Sequence, residues 1–253
     1  MLFRSVGEQD RRAHRDAKAG ASEAYRDLRT SILLSNPGRP PRKILVTSAI
    51  PEEGKTATAT NLAIVLAQLG ARVLLVDTDL RRPRLHRAFD VPNRRGISNC
   101  LSGLEQDATR LAVSTGVDRL DLLPSGPIPP NPSELLNSTT FVGLCERLLD
   151  SGYDHVVFDS PPVLSVSDPI ILASAADTCI LVVRAGRTPR HSVRLAVEKL
   201  RQAGEVGFGM VLNDVDPQSH GHSAYAYYGQ RQAERETDDD SGEPPRTVAG
   251  GGS

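Results

Sequence analysis

Short apolar runs alternate with longer amphipathic stretches along most of this chain. The runs are rich in Val, Leu and Ile, which is typical of strands buried on both faces, and the stretches between them are long enough for crossover helices. The predicted strands are 43–48, 73–76, 120–123, 155–158, 179–183 and 210–212. The predicted helices are 57–69, 133–149, 168–175 and 190–203, with a helical patch at 96–103. The pattern predicts a three-layer α/β fold with a mostly parallel, doubly wound sheet.

The two ends of the chain differ in composition from this alternating body. Residues 1–21 are charged and poor in apolar residues, so we expect a mobile segment. Residues 22–217 should form one domain, because 39% apolar residues in the chain are enough for a core. Residues 218–231 carry a tyrosine cluster. Residues 232–253 combine an acidic run with Pro, Gly and Ser, a composition that predicts disorder.

Composition and charge exclude several classes of function. A net charge of −1 provides no field that would attract nucleic acid or anionic lipid, so we expect no nucleic-acid partner. No apolar run approaches the roughly 18 residues of a membrane span, and the N-terminus lacks the apolar core of a signal peptide. The three cysteines lack metal-ligand spacing, and Cys145 and Cys179 lie in apolar runs. We therefore expect reduced core cysteines in a cytoplasmic protein.

A Gly-Lys-Thr sequence stands between the first predicted strand and the first predicted helix. The first N–H groups of a helix have no partner inside it, and the helix dipole favours an anion there. Lys55 can add positive charge for the β- and γ-phosphates, and the Thr56 hydroxyl can ligate Mg²⁺. The sequence therefore predicts a nucleoside triphosphate site, with Glu53, Gly54, Lys55, Thr56 and Ala57 as the nucleotide-binding residues.

The loop before this lysine departs from the usual pattern G-x-x-x-x-G-K-[ST]. Ala49 stands at the position of the first glycine, and Pro51 removes one N–H donor from the loop. We expect the two carboxylates of Glu52 and Glu53 to crowd a site built for phosphate. Taken alone, the loop is also compatible with an accidental Gly-Lys-Thr before an amphipathic helix.

Polar residues end three further predicted strands. Asp77 and Asp79 follow the strand at 73–76, and Asp159 follows the strand at 155–158. In open parallel sheets, ligands bind beyond the carboxyl ends of the strands, so these groups should meet the Gly-Lys-Thr loop. Each aspartate alone could simply cap a helix, but together they predict a Mg²⁺-nucleotide site with a spare carboxylate. Asn213 ends the last strand, where it could bond the adenine or form a turn.

Three of the five tyrosines lie within four residues near the C-terminus. They are Tyr225, Tyr227 and Tyr228, and the polar sequence around them has no apolar periodicity. An aromatic patch that docks the tail onto the body is one interpretation. The other, which we favour because of the predicted nucleotide site, is that these exposed hydroxyls accept phosphate.

Five segments of the sequence carry the motifs of one known family. Together with the tyrosine cluster, they are spread over about residues 22–229. They are E-A-Y-R-D-L-R-T at 23–30, S-A-I-P-E-E-G-K-T at 48–56, L-V-D-T-D-L-R-R-P at 75–83, L-P-S-G-P-I-P-P-N-P-S-E-L-L at 123–136 and D-H-V-V-F-D-S-P-P at 154–162. Together they resemble the bacterial tyrosine autokinases (BY-kinases) of capsular and extracellular polysaccharide synthesis. Glu52 departs from the pattern, because the family usually has glycine at this position.

The resemblance implies a P-loop NTPase of the deviant Walker type, like the partitioning ATPases, that uses ATP and Mg²⁺ to phosphorylate its own tail tyrosines. It implies that Lys55, Asp77, Asp79 and Asp159 are catalytic, with Asp77 as the base. Thr56, Asp79 and Asp159 would then surround the metal. Arg81, Arg82 or Arg84 could neutralise charge in the transition state, but they could equally be solvated loop arginines.

The resemblance also implies partners. Glu23, Arg26 and Arg29 recur every three residues on a helix predicted to begin near Ser22, and this charged stripe could be a solvated face. In the family this pattern makes the subunit contacts of a ring-shaped homo-oligomer. The family works with a transmembrane polysaccharide co-polymerase, either fused to the kinase or separate. We expect such a partner to hold the protein at the inner face of the cytoplasmic membrane and to complete the nucleotide site with its cytoplasmic tail.

Two other functions stay open at this point. One is a partitioning or septum-positioning ATPase that works as a dimer switch, but the signature lysine of that class would fall at Ile50, and its absence argues against it. The other is a nucleotide-sensing module without turnover, to which the unusual Pro51 and Glu52 are suited.

Overall fold

A computed structural model of the chain describes residues 22–36, 38–204 and 207–215. The segments 1–21, 218–231 and 232–253, for which the sequence predicts mobility, a phosphoacceptor tail and disorder, lie outside these residues. Their properties stay predictions. The predicted folded domain, 22–217, is described except for residues 37, 205, 206, 216 and 217.

Seven strands form one sheet in the order β3-β4-β2-β5-β1-β6-β7. They are β1 Lys43–Ser48, β2 Val73–Asp77, β3 Val113–Ser114, β4 Leu120–Leu123, β5 His155–Asp159, β6 Thr178–Arg184 and β7 Gly207–Asn213. Every neighbouring pair is parallel except β3 and β4, which are antiparallel. The predicted mostly parallel sheet is confirmed, and only the two-residue edge strand β3 was not predicted.

Eight helices connect these strands within the described residues. They are α1 at 22–34, α2 Lys55–Gln68, α3 Leu85–Ala88, α4 Ile97–Leu101, α5 Pro132–Leu136, α6 Thr139–Asp150, α7 Asp168–Ala175 and α8 Arg190–Arg201, and a 3-10 turn covers Ala108–Leu111. In the described part of the chain, none of them is both long and apolar enough to cross a membrane.

The predicted helix 133–149 is wrong, because two helices, α5 and α6, occupy this stretch. Ser138 separates them: its backbone is extended, and its hydroxyl accepts the N–H of Phe141, so that it caps α6. Ser133, at the start of the predicted helix, donates its hydroxyl to Asp168 at 2.5 Å. A capping serine inside an amphipathic pattern therefore ended one helix and started the next.

Alternating side chains of the strands build a core on each face of the sheet. Ile44 and Val46 of β1 pack with Leu62 of α2 on the face that α1, α2 and α3 cover. Leu45 points to the opposite face and packs in the cluster that contains Leu144 of α6. The result is the predicted three-layer architecture. The three cysteines are free thiols in the core, as the apolar sequence around two of them predicts.

Gly96 lies where two loops pack against each other with no space for a side chain. A Cβ at this position would lie 2.1 Å from the carbonyl oxygen of Pro124 and 2.3 Å from the backbone nitrogen of Gly126. The obstacle is steric, because the φ angle of −178° is extended backbone that any residue adopts. We therefore expect Gly96→Ala to lower the free energy of unfolding by about 2 kcal/mol or more, measured by denaturant unfolding.

Gly143→Ala provides the matched control for this substitution. Gly143 lies inside α6, and a Cβ there would meet only the end of the flexible Arg147 side chain, at 3.2 Å. Because alanine is the better helix former, this variant should be unchanged or more stable by about 0.5–1 kcal/mol. Equal destabilisation of both variants would contradict the steric interpretation.

Candidate active site

The carboxyl ends of β2, β5 and β1 lie side by side at one edge of the sheet. The register pairs Asp77 at the end of β2 with Asp159 at the end of β5. Thr78 fastens the two ends, because its N–H and its hydroxyl both donate to the carbonyl oxygen of Asp159, at 2.9 and 2.7 Å. The structure thus brings together the aspartates that the sequence places at separate strand ends.

The loop that follows β1 leads directly into the N-terminus of α2. Gly54 is the N-cap, with φ 92° in the left-handed region that favours glycine, and Lys55 is the first helical residue. Thr56 and Ala57 follow in the first turn, whose N–H groups have no acceptor inside the helix. The predicted nucleotide-binding residues therefore stand at the positive end of a helix dipole, an arrangement suited to an anion.

Lys55 stands between two of the aspartates. Its Nζ lies 3.1 Å from Oδ2 of Asp79 and 3.5 Å from Oδ1 of Asp159. All three side chains are largely shielded from solvent, with exposed fractions of 13%, 7% and 1% for Lys55, Asp79 and Asp159. Burial alone would lower the pKa of Lys55, but the charges of Asp159, Asp79 and Asp77 outweigh it and raise the pKa. The ammonium is therefore firmly charged.

Asp77 is a buried carboxyl with one free oxygen. Its Oδ2 accepts the N–H groups of Arg84 at 3.1 Å and Leu85 at 3.0 Å, at the start of α3. Its Oδ1 has no hydrogen-bond partner among the described residues. Burial, reinforced by the negative charge of Asp159, raises the pKa of Asp77 to about 8, although the N–H of Leu85 acts in the opposite direction.

Asp159 leaves further acceptors without donors. It is fully buried, and neither of its carboxylate oxygens accepts a hydrogen bond of ordinary geometry from the described residues. Burial therefore raises its pKa, despite the opposing charge of Lys55. Together with Oδ1 of Asp77, three buried acceptor oxygens face an edge where a ligand could satisfy them.

The free oxygens of Asp159, with the hydroxyl of Thr56, fit Mg²⁺ bound together with phosphates. Mg²⁺ prefers oxygen ligands and usually takes only one or two carboxylates from the protein, while water and phosphate complete its shell. In the described residues, no group of three Asp, Glu, His or Cys side chains is arranged to hold a metal by itself. A metal ion at this edge would therefore need a bound phosphate as one of its ligands.

Glu53 does not crowd the phosphate site, and this expectation from the sequence is wrong. Its carboxylate turns inward, where Oε2 accepts the N–H of Ile50 at 2.8 Å. Its Oε1 accepts the N–H of Arg184 at 3.4 Å and the hydroxyl of Thr188. The buried carboxylate of Glu53 therefore connects the phosphate loop to the end of β6. Its backbone remains part of the predicted nucleotide-binding set.

Glu52 remains exposed and adopts a backbone conformation suited to glycine. Its φ is 67°, in the left-handed region, where a side chain costs about 1 kcal/mol or more. This gives a physical reason for the glycine that the resembling family has at the same position. The chain tolerates glutamate here at the cost of some backbone strain and a negative charge beside the loop.

Asn213 makes a contact that the sequence did not suggest. Its Nδ2 donates to the carbonyl oxygen of Glu53 at 2.9 Å, and a Cβ on Gly54 would lie only 2.1 Å from this nitrogen. The end of β7 thus supports the phosphate loop from the side. The predicted contact of Asn213 with adenine stays a prediction.

An ion pair between the partly exposed Arg81 and the buried Asp168 holds the loop that follows Asp79. Arg81 donates from Nε and Nη2 to the carboxylate of Asp168, at 2.8 and 3.2 Å, and from Nη2 to Ser133 at 2.8 Å. Asp168 is fully buried. Arg81 therefore has a structural role in holding this loop. The sequence did not indicate that its partner is Asp168, 87 residues later.

The predicted charged stripe on α1 is only partly a surface feature. Glu23 and Arg26 form an exposed pair at 2.6 Å. Arg29 is half-buried and donates to the carbonyl oxygen of Val65 in α2 at 3.0 Å. The role of these residues in a ring stays a prediction. The predicted acceptors Tyr225, Tyr227 and Tyr228 lie outside the described residues.

Comparisons with known proteins relate this chain to a group of enzymes. Residues 52–205 match a family described as an AAA domain. The tyrosine-protein kinase YwqD of Bacillus subtilis is 40% identical over 215 residues, which are 85% of this chain and 89% of YwqD. The tyrosine-protein kinase etk of Escherichia coli strain K12 is 37% identical over 207 residues, which are 82% of this chain but only 28% of etk.

Solved structures agree. The kinase domain of Escherichia coli ETK superposes with a TM-score of 0.74 at 36% identity, covering 80% of this chain and 78% of that one. A plasmid partition protein from Borrelia burgdorferi, at 19% identity and a TM-score of 0.59, covers 76% of this chain and 87% of its own, and shares the fold alone. The site geometry, the extent of the matches and their identity lead to one conclusion: the chain belongs to the family of bacterial tyrosine-protein kinases, as its motifs predict.

Proposed function

We propose that the protein is an ATP- and Mg²⁺-dependent autokinase that transfers phosphate to Tyr225, Tyr227 and Tyr228. The observation that carries the proposal is Lys55, which stands between Asp79 and Asp159 at the start of α2. One positive charge at a helix N-terminus suits the β- and γ-phosphates, and a cluster of carboxylates suits a metal and a proton acceptor. A binding module has no need of the spare buried carboxyl group of Asp77.

The residues divide the work by their chemistry. Lys55 and the N–H groups around Gly54 bind the β- and γ-phosphates, and Thr56, Asp79 and Asp159 hold the metal. Mg²⁺ neutralises phosphate charge when it is bound. The tyrosine oxygen forms a bond to the γ-phosphorus as the bond to the leaving ADP oxygen breaks, and the phenolic proton moves to Asp77.

The base assignment makes a prediction about pH. Asp77 accepts a proton only when it is ionised, and its pKa of about 8 means that the protonated form dominates in the free enzyme at neutral pH. The value of kcat/KM for ATP should therefore fall by about tenfold for each pH unit below this pKa. Initial rates of phosphotyrosine formation between pH 6 and 9 test this. A profile that is flat between pH 6 and 8 would contradict the assignment.

Glu52 offers a second prediction, about affinity. Glu52→Gly removes a charge beside the phosphate loop and relieves the left-handed backbone, so ATP should bind about three- to tenfold more tightly. Calorimetry with ATP and Mg²⁺ measures this. Glu52→Gln is the control, because it removes the charge but keeps the strained conformation, and it should give only part of the gain. Weaker binding by Glu52→Gly would be inconsistent with the proposed loop geometry.

The family suggests where the activity is used. We propose that the kinase regulates capsular or extracellular polysaccharide polymerisation and export as a ring-shaped oligomer, with contacts through Glu23, Arg26 and Arg29. A transmembrane co-polymerase would recruit it to the inner face of the cytoplasmic membrane. Support comes from relatives such as Escherichia coli etk, of which this chain matches only a part.

One experiment separates this function from its alternatives. The purified chain is incubated with labelled ATP and Mg²⁺, and nucleotide binding, hydrolysis and phosphotyrosine are measured in the same samples. Phosphotyrosine that requires both ATP and Mg²⁺ supports the kinase. Hydrolysis without phosphotyrosine would instead favour an ATPase switch, and tight binding with neither would favour a nucleotide sensor.

A further inference from the structure

Three exposed arginines follow Asp79 closely in the sequence, and the mechanism proposed above uses none of them, although the sequence made Arg82 and Arg84 candidates for neutralising transition-state charge. They are Arg82, Arg84 and Arg87, and we call them the arginine patch. We propose that this patch binds an acidic peptide, namely the acidic segment that follows the tyrosine cluster in a second copy of the chain. The inference rests on the proposed function, because it describes how the acceptor chain is recognised.

The main chain fixes the patch beside the catalytic carboxylates. The N–H of Arg82 donates to Oδ1 of Asp79 at 3.0 Å, and the N–H of Arg84 donates to Oδ2 of Asp77 at 3.1 Å. The N–H of Arg87 donates to the carbonyl oxygen of Arg84 at 3.1 Å, so these two arginines are one helical turn apart. A chain that presents a hydroxyl to Asp77 therefore comes close to this short segment.

The charge of the patch is not neutralised locally. All three side chains are exposed. Ion pairs among the described residues engage the flanking Arg81 and Arg95, with Asp168 and Glu105, but none of them includes a member of the patch. Residues 81–95 contain a single acidic residue, Asp90, against six arginines: Arg81, Arg82, Arg84, Arg87, Arg94 and Arg95.

The complementary charge lies just after the tyrosine cluster. Residues 232–253 contain six acidic residues, Glu234, Glu236, Asp238, Asp239, Asp240 and Glu243. Against these stand two basic residues, Arg235 and Arg246, so the segment carries a charge of −4, as 2 minus 6 gives. The whole chain carries only −1, so the two opposite charges are local features.

The spacing along the chain allows both contacts at once. Asp239 follows Tyr228 by eleven residues, a distance that an extended chain can span up to about 36 Å. A tyrosine at the site therefore leaves the acidic segment within reach of the patch. Opposite charges at an exposed surface steer the encounter and raise the local concentration of the acceptor, so they should affect KM more than kcat.

The test uses two chains with separate tasks. The acceptor chain carries Lys55→Met, so it cannot phosphorylate itself under the proposed mechanism. The enzyme chain carries Phe at all three tail tyrosines and, in addition, either Arg87→Glu or Arg201→Glu. Arg87 has no contact with the reacting groups, and Arg201 is an exposed residue at the far end of α8 that gives the same change in net charge.

We expect Arg87→Glu to raise KM for the acceptor chain by about tenfold, equivalent to about 1.4 kcal/mol, with kcat within about twofold. Arg201→Glu should leave both constants unchanged. An acceptor with Arg at positions 238–240 should restore the low KM toward the Arg87→Glu enzyme and raise KM toward the unchanged enzyme. Arg87→Gln, which keeps a helix-forming polar side chain, repeats the measurement if Arg87→Glu unfolds.

The outcomes separate this inference from the function on which it rests. Transfer with the same KM in all pairings would overturn the arginine patch as a docking surface and leave the kinase function standing. A rise in KM that the reversed acceptor does not relieve would also overturn it. No transfer in any pairing, including enzyme chains with an intact patch, would overturn the proposed function and this inference together.

Discussion

A chain with Lys55→Met is expected to form almost no phosphotyrosine, with a rate at least about 10³-fold below the unchanged protein. Lys55 supplies the positive charge of the site and stands within 3.5 Å of both Asp79 and Asp159. Without it, three buried carboxylates face the phosphates with no side-chain cation between them. The initial rate of phosphotyrosine formation at saturating ATP and Mg²⁺ measures the loss.

Lys43→Met is the matched control for this substitution. Lys43 also pairs with carboxylates, at 2.8 Å from Glu146 and 4.0 Å from Asp177, but it begins β1 at the opposite edge of the sheet. This variant should keep its rate within about twofold, because a surface pair contributes only about 0–1 kcal/mol to stability. Similar losses in both variants would mean that the phosphate charge is neutralised elsewhere.

Asp77→Asn is expected to retain ATP binding but to lose about 10²- to 10⁴-fold in phosphotransfer. The asparagine oxygen can still accept the N–H groups of Arg84 and Leu85, so the N-terminus of α3 should keep its conformation. The variant lacks only the carboxylate that accepts the phenolic proton. In this variant, the ATP affinity measured by calorimetry should therefore be retained, while the transfer rate measured by phosphotyrosine formation should fall.

The same variant should change how stability depends on pH. The pKa of Asp77 is about 8 in the folded protein, above an ordinary value of about 3.9 in the unfolded chain. Its contribution to stability is therefore complete below pH 4 and is lost as pH rises through 8. An asparagine side chain does not titrate, so Asp77→Asn should gain thermal stability relative to the unchanged protein between pH 6 and 9.

Asp118→Asn controls for the loss of one negative charge, because Asp118 is exposed. It should leave the transfer rate unchanged. Full phosphotyrosine formation by Asp77→Asn would show that another group takes the proton, and the assignment of the base would then have to be abandoned.

The features that follow from local pattern could be predicted from the sequence. Buried parallel strands are continuous apolar runs, so six of the seven strands were found. Because ligands gather at the carboxyl ends of such strands, the proximity of Lys55, Asp79 and Asp159 followed from their places after β1, β2 and β5. The identity of the family followed from motifs and is confirmed by relatives up to 40% identical among those compared.

The features that depend on distant partners could not be predicted. Nothing near Glu53 indicates that its carboxylate turns away from the phosphate site toward Thr188, 135 residues later. The pairing of Arg81 with Asp168 likewise depends on how α7 packs beside the loop. A two-residue strand such as β3 is too short to produce a period, so only its pairing with β4 defines it.

The most direct test of the central claim is to map the phosphate after the two-chain reaction. A Lys55→Met chain is mixed with an otherwise intact chain that carries Phe at its three tail tyrosines, and phosphopeptides are identified by mass spectrometry after incubation with ATP and Mg²⁺. The account predicts phosphate on Tyr225, Tyr227 and Tyr228 of the Lys55→Met chain. Phosphate mainly on Tyr25 or Tyr153, or no phosphotyrosine in either chain, would contradict it.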